Sequence, residues 1–231
     1  IRFSSQENPI HWFPTATNTA GDLRLGGGST FVQAVETKQQ ILVFTNKTLH
    51  AMKFIGPPFT FGLQELSKNI TIMSPFSAIA VEDAVFWMGV DTFYLYAAGQ
   101  TQQLPCTVKD KVFLDFNFDE RDKVHAGVNS EFSEILWFYP TKDSTEIDSY
   151  VAYNYIEKVW YYGTLARQAW LDRGIRTLPI ATGGSLLYNH EVGFDDDGSA
   201  MTSFIESAPI DIGDGDKFVF LKRVIPDVTF D

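Results

Sequence analysis

Short runs of apolar residues, separated by polar turns, repeat along most of this chain. The clearest example has apolar runs at residues 78–81, 85–88 and 93–96, separated by charged or glycine-containing turns. Such runs are too short for helices and are rich in β-branched and aromatic residues, so they predict three antiparallel strands. The middle run is apolar at every position. We therefore expect both faces of that strand to be buried.

The same order of runs occurs in three other parts of the chain. The other units have runs at residues 31–35, 41–44 and 49–54; at 124–128, 135–139, 150–155 and 159–162; and, more weakly, at 178–181, 186–188 and 201–205. Matching positions Val35, Val81, Val128 and Ala181 are 46, 47 and 53 residues apart. A period in the forties, with about four strands per unit, is typical of a β-propeller.

Residue size supports this interpretation. The first strands carry small residues, namely Ala34, Ala78, Ala80, Ala126, Gly127 and Ala181. The second strands carry bulky residues, including Trp87 and Trp137. In a propeller the first strands crowd around the channel, and the diverging blades leave space that bulky side chains fill. We therefore predict an all-β fold, a β-propeller-like repeat of antiparallel three- to four-stranded sheets; the alternative is a β-sandwich.

The predicted domain organisation has two parts. Residues 1–205 form the β-propeller-like domain, with an incomplete first blade and an aromatic anchor at Trp12 and Phe13. Residues 206–231 begin a further β segment, with a strand at 217–224. The first residue is Ile1 and not Met, so we expect a piece of a longer chain. No stretch predicts a long amphipathic helix; residues 167–174 are at most a turn or two of helix.

Composition narrows the classes of function. The chain has 18 basic and 29 acidic residues and a formal net charge of -11, which argues against a protein that grips phosphates through a basic face. No apolar run approaches the roughly 18 residues of a membrane span, so no membrane insertion by this chain is expected. A single cysteine, Cys106, excludes an internal disulfide and suits assembly in a reducing cytoplasm.

Two segments invite comparison with ligand-binding motifs. The glycines at 26–28 lack the lysine and the strand-to-helix setting of a phosphate-binding loop, so a turn is preferred. Residues 195–197 are three aspartates, followed by Gly198 and later by Glu206. This acid count resembles an EF-hand loop, but the glycine falls two places early and no helices flank it. A polar hairpin tip is the preferred interpretation.

No other pattern predicts a catalytic or metal site. The four histidines, His11, His50, His125 and His190, include no pair with zinc-ligand spacing. His125 falls on a first strand, where a hydrogen-bonded structural role is expected. No nucleophile-elbow motif occurs, and Cys106 has no evident histidine partner. We predict no catalytic, cofactor-binding or metal-binding residues and no cofactor, although a carboxylate pair for glycoside hydrolysis is not excluded by the sequence.

Four segments together resemble the tail proteins of short-tailed bacteriophages (podoviruses), in particular the DNA-stabilisation, tail hub and nozzle proteins. They are RFSSQENPIHWFP at 2–14, AVEDAVFWMGVDTFYLY at 80–96, YNYIEKVWYYGTL at 153–165 and APIDIGDGDKFVFLKRVIPDV at 208–228. The resemblance consists of turn and aromatic patterns and supplies no catalytic residues. It implies a non-enzymatic structural protein of the virion, assembled in the host cytoplasm, with a propeller-like body.

The resemblance also implies partners. These are other copies of the chain in a ring, six in the better-known relatives, together with portal or adaptor proteins and tail fibres or spikes. DNA would pass through the assembly, retained and then ejected, without tight binding. The alternative function is a propeller-type carbohydrate-binding or glycoside-hydrolysing protein, which the aromatic content of 15% favours.

Overall fold

A computed structural model gives the structure of the chain and describes residues 1–26, 30–196, 198–201, 220, 222–223 and 225. The chain has two compact units, Ile1–Val192 and Gly193–Asp231. The domain boundary predicted between residues 205 and 206 lies outside the described residues. The strands predicted at 201–205 and 217–224 also fall mainly outside them.

The N-terminal segment, residues 1–26, begins with a small antiparallel pair. Strand β1 (Arg2–Phe3) pairs with β2 (Gly21–Asp22), and the backbone amine of Ile1 donates to the carbonyl of Leu23 at 2.8 Å. The segment between these strands is held by turns. Of the predicted aromatic anchor, Trp12 is 44% exposed and Phe13 is 74% exposed.

The first large sheet is a four-stranded antiparallel meander. It contains β3 (Phe31–Glu36), β4 (Ile41–Thr45), β5 (Thr48–Gly56) and β6 (Thr60–Lys68), paired in that order. The first three strands were predicted. Strand β6 was not, because its residues are mostly half-buried or exposed and give no apolar run.

The second sheet repeats the plan. Its strands are β7 (Ala78–Val81), β8 (Ala84–Met88), β9 (Phe93–Ala97) and β10 (Gln100–Leu104). Val85, Phe86, Trp87 and Met88 are all buried, which confirms that both faces of β8 are covered. Strand β10 was not predicted, because its sequence QTQQL contains no apolar run.

Two short helices connect the second and third sheets. Helix α1 (Lys109–Leu114) buries Val112 in the core, and a 3-10 helix (Phe118–Lys123) follows it. Both have six residues, and among the described residues no helix is long and apolar enough to span a membrane.

The third sheet contains β11 (His125–Asn129), β12 (Glu134–Tyr139), β13 (Ser149–Asn154) and β14 (Val159–Thr164), and it matches the predicted four strands. The fourth sheet contains β15 (Ala169–Leu171), β16 (Ile180–Gly183) and β17 (Leu186–Asn189). In the second unit, β18 (Asp195–Asp196) pairs with β19 (Ser199–Ala200).

The fourth sheet requires a correction. Ala181 was predicted on a first strand, but it lies on β16, where it pairs with Trp170 of β15 and Tyr188 of β17. The true first strand is β15, in a region where the sequence indicated a turn or two of helix. This strand has only three residues, of which the central Trp170 is half-buried and the two flanking residues are exposed. A run this short gives no periodic signal.

The first strands lie side by side. Strand β3 contacts β7, β7 contacts β11, and β11 contacts β15. Ala34, Ala80 and Ala126 lie on β3, β7 and β11, as predicted. The side chain of Gln33 joins the first two sheets, because it donates to the carbonyl of Ala78 at 2.8 Å and accepts from its amide at 3.1 Å. The all-β fold and its repeated antiparallel sheets of three or four strands are confirmed.

The hydrophobic core lies between successive sheets. One cluster joins the first and second sheets around Trp87, and a second joins the second and third sheets around Trp137. Both indoles are 0% exposed, as their matching second-strand positions predicted. A third, smaller cluster joins the third and fourth sheets, where Trp170 packs against Phe138.

Candidate functional site

The turns that follow the first strands bring acidic residues to one end of the sheet series. Lys38, after β3, forms an ion pair with Asp83, after β7, at 3.2 Å. Arg173, after β15, forms one with Glu131, after β11, also at 3.2 Å. A parallel bridge between Phe76 and His125 shows that β7 and β11 run in the same direction. The turns of all four sheets therefore lie at the same end.

These turns, here called the acidic turns, contain more acids than bases. Their acidic residues are Glu36, Glu82, Asp83, Glu131 and Asp172. Of the three basic residues, Lys38 and Arg173 are each paired with a carboxylate, and Arg176 is exposed. Both ion pairs are solvent-exposed and contribute little to stability. Their consequence is electrostatic, because these turns present more carboxylates than cations.

A groove with a volume of about 560 Å³ lies between the N-terminal segment and the first sheet. Its aromatic lining includes Phe3, Trp12, Phe54 and Phe61. Strands β5 and β6 place Phe54 and Phe61 directly opposite each other, and the hydroxyl of Thr60 donates to the carbonyl of Thr19. The segment and the sheet thus form the two sides of one site.

The aromatic rings of this groove are held in place by local contacts. Phe61 makes edge contacts with Phe3 and with Phe54, at centroid distances of 4.9 and 5.8 Å. The indole nitrogen of Trp12 donates to the carbonyl of Pro9 at 2.6 Å. Arg2 lies over the ring of Phe13, 5.5 Å from its centroid. The groove therefore presents ordered aromatic surfaces to solvent.

The predicted aspartate segment forms a hairpin tip. Asp195 Oδ1 accepts a hydrogen bond from the backbone N–H of Gly198 at 2.9 Å, which satisfies the tight turn between β18 and β19. Asp197 and Glu206 lie outside the described residues, as do two of the glycines at 26–28. Among the described residues, no group of three or more His, Cys, Asp or Glu side chains could hold a metal ion.

The histidines are dispersed. His11 is exposed beside Asn8, and His50 is buried with its ring nitrogen 2.8 Å from the Thr48 hydroxyl. His190 accepts from Arg167 at 2.9 Å. His125 stacks on Phe138 at a centroid distance of 4.9 Å, and a weak backbone interaction with Lys123 opposes part of the effect of burial on its pKa. Burial lowers the pKa of His125 to about 4.

Cys106 lies in a half-buried position near α1. Burial raises the pKa of its thiol to about 11, and the positive charge of Lys109 opposes this only in part. A thiol with so high a pKa is a poor nucleophile at neutral pH, because the thiolate is the reactive form.

One polar cluster was missed by the sequence analysis. Asn129, 2% exposed, donates from Nδ2 to Glu191 Oε1 at 2.9 Å, and it lies opposite Glu134 in the β11–β12 register. Burial raises the pKa of Glu134, and the charge of Glu191 adds to the shift, while a hydrogen bond from Tyr161 lowers it. Asn129 and Glu191 are 62 residues apart, so no local motif could have shown the cluster.

An acid with a raised pKa near a second carboxylate is a feature that glycoside hydrolases use. Here the Asn129 amide is bonded to one of the two carboxylates, and neither Glu134 nor Glu191 lines the aromatic groove. The cluster instead links the third sheet to the end of the fourth.

Comparison with known proteins gives no family. No protein-family model matches the chain, and no curated protein matches it. Among solved structures, the computationally designed Ika4 protein is 9% identical over 73% of this chain and 94% of its own, with a TM-score of 0.45. The N-terminal domain of Nup159 is 13% identical over 65% of this chain and 39% of its own, with a TM-score of 0.33. Likenesses this weak carry no argument about function.

Proposed function

We propose that this chain is a structural component of a bacteriophage tail, in the position of a hub, nozzle or DNA-stabilisation protein. It would form part of the conduit that retains and ejects DNA, and its role would be structural and not catalytic. The proposal begins from the aromatic and turn segments that resemble podovirus tail proteins. Two of these, at residues 80–96 and 153–165, form strands of the second and third sheets.

The observation that carries the proposal is the position of the acidic turns. A conduit has to let a highly charged duplex pass without holding it. Tight binding would require lysines and arginines that neutralise phosphates. The acidic turns instead gather five acidic residues against three basic ones at the end of the first strands, and two of the three cations are paired with carboxylates.

Exposed apolar residues on the fourth sheet support the proposed neighbours. Leu171, Leu186 and Leu187 are each about 60% exposed. By strand alternation, Leu171 and Leu187 lie on one face of this sheet and Leu186 on the other, and exposed apolar surface can mark places that other proteins cover. We propose that further copies in a ring, six by analogy with the resembled family, and portal, adaptor, fibre or spike proteins supply those contacts in the virion.

The test is to locate the chain in the particle. Virions of the virus that encodes it should be purified and analysed by mass spectrometry, and the tail should be imaged by cryo-electron microscopy. Peptides of this chain should be present in the virion in several copies per particle, and its sheets should fit density in a ring below the portal. Absence of the chain from purified particles would refute the proposal.

A further inference from the structure

The aromatic groove combines exposed aromatic rings with polar side chains. Trp12 and Phe54 line it with 44% and 68% of their surfaces exposed. Its volume of about 560 Å³ falls within the roughly 300–1,000 Å³ of small-molecule binding sites. The rings are fixed in position by the Trp12–Pro9 hydrogen bond and by the edge contacts of Phe61. A ligand would therefore meet aromatic surfaces that are already ordered, which lowers the entropy cost of binding.

Polar side chains from the same segment complete the lining. Arg2, Gln6 and Glu7 all contribute to the groove. Within the described residues, the side chains of Gln6 and Glu7 make no hydrogen bond and no ion pair, and Arg2 contacts only the ring of Phe13. An amide, a carboxylate and a guanidinium are planar groups that can bind two hydroxyls or other polar atoms at once.

We propose that this groove binds a carbohydrate. A pyranose ring has an apolar C–H face, which would lie against Trp12 or Phe54, and a rim of hydroxyls, which would pair with Gln6, Glu7 and Arg2. Each kind of surface on the ligand then has a partner in the groove. This binding activity goes beyond the proposed role in the tail and does not depend on it.

Other ligands fit the groove less well. A purely apolar ligand would desolvate Gln6 and Glu7 without giving them partners, which costs free energy. An anionic ligand would meet the carboxylate of Glu7. A neutral, polyhydroxylated ligand avoids both penalties, because it can pair with groups of either charge.

The test uses isothermal titration calorimetry of the whole chain with four probes: cellotetraose, chitotetraose, maltotetraose and a mannotetraose. At least one should bind with a dissociation constant in the micromolar to millimolar range. Trp12→Ala should weaken that binding by about tenfold or more. Glu7→Ala, a change at an exposed residue, should also weaken it. Phe59→Ala is the matched control, because Phe59 is 72% exposed but does not line the groove.

Three results would overturn the proposal. The first is the absence of any heat of binding when each probe is titrated to about 10 mM. Dissociation constants in the expected micromolar to millimolar range would give a signal at that concentration. The second is binding that survives both Trp12→Ala and Glu7→Ala, which would place the sugar elsewhere. The third is a change in oligomeric state on Trp12→Ala, measured by analytical ultracentrifugation, without saccharide binding by the unmodified chain. That result would make the groove a protein interface.

Discussion

Trp137 is central to the packing between the second and third sheets. Its indole is 0% exposed, contacts Phe93 at a centroid distance of 4.9 Å and donates to the carbonyl of Ser77 at 2.9 Å. Truncation removes this packing and leaves a cavity. We expect Trp137→Ala to lower the free energy of unfolding by roughly 3–5 kcal/mol.

Urea denaturation measures this change, with Trp12→Ala as the matched control. Trp12 is 44% exposed, so its truncation should cost much less than that of Trp137. A loss below about 1 kcal/mol for Trp137→Ala would show that the packing between these sheets is not as described.

His125 should make the protein sensitive to mild acid. Its folded-state pKa is lowered to about 4 by burial, against about 6.5 when unfolded. The unfolded state therefore binds a proton first as the pH falls. The contribution of the neutral ring to the free energy of unfolding is fully present above pH 6.5 and is lost by about pH 4. The total loss is up to about 3 kcal/mol.

The variant His125→Phe isolates this contribution. Phenylalanine can keep the stack on Phe138 and carries no ring nitrogens that need partners. Urea denaturation at several pH values between 4 and 7 should show a smaller loss of stability for this variant than for the unmodified chain. His11→Phe, at an exposed histidine, should leave the loss unchanged. Equal pH dependence in all three proteins would contradict the burial of His125.

At the scale of elements, the junction between the third and fourth sheets depends on one glycine. A Cβ atom added at Gly127 would lie 2.6 Å from Cδ1 and 2.8 Å from Cγ of Trp170. Trp170 has little freedom to move, because its indole nitrogen donates to the carbonyl of Val128 at 2.8 Å. We expect Gly127→Ala to lower the free energy of unfolding by about 1–3 kcal/mol through overpacking.

The matched control for this glycine is Gly174→Ala. No atom lies within 4 Å of a Cβ added at Gly174, so its replacement should change stability by less than about 0.5 kcal/mol. Thermal and urea denaturation of the two variants provide the comparison. Equal stability of Gly127→Ala and the unmodified chain would mean that β11 and Trp170 are not in close contact.

The sequence revealed those elements whose side chains are apolar on both faces. Strand β8, with four consecutive buried residues, and β12, with five, gave clear signals. Outer strands such as β10 were hidden because half-exposed strands tolerate polar residues on both faces. Strand β15 was hidden because three residues show no period. For such strands the pairing partner decides the structure, and the partner lies far away in sequence.

The aromatic groove was only partly visible in the sequence. Trp12 stood out as part of an aromatic anchor in a polar segment, but nothing in its sequence neighbourhood indicated that it lines a groove. Phe54 and Phe61 come from strands more than 40 residues later, and β6, which carries Phe61, was not predicted.

The grouping of the acidic turns was also not visible in the sequence. Each contributes only one or two acids, and the alignment of the four sheets brings them to the same end.

At the scale of the whole molecule, the strongest expectation concerns DNA. The formal net charge is -11, and the acidic turns now show where part of that charge lies. We expect affinity for duplex DNA weaker than about 10 µM near physiological salt, toward the weak end of non-specific binding. Fluorescence anisotropy across a salt series measures it. Submicromolar binding with a steep salt dependence would contradict the proposed conduit.

Weak binding alone is common among acidic proteins, so the position of the charge has to be tested separately. The double variant Glu36→Lys and Glu82→Lys reverses two charges in the acidic turns. Its matched control, Asp119→Lys and Asp143→Lys, makes the same net change at exposed residues that precede β11 and follow β12, at the opposite end of the third sheet. If the acidic turns keep the duplex away, the first variant should bind DNA more tightly and with a steeper salt dependence than the second. Equal gains in the two variants would mean that net charge alone sets the affinity, and the acidic turns would then have no special role in the passage of DNA.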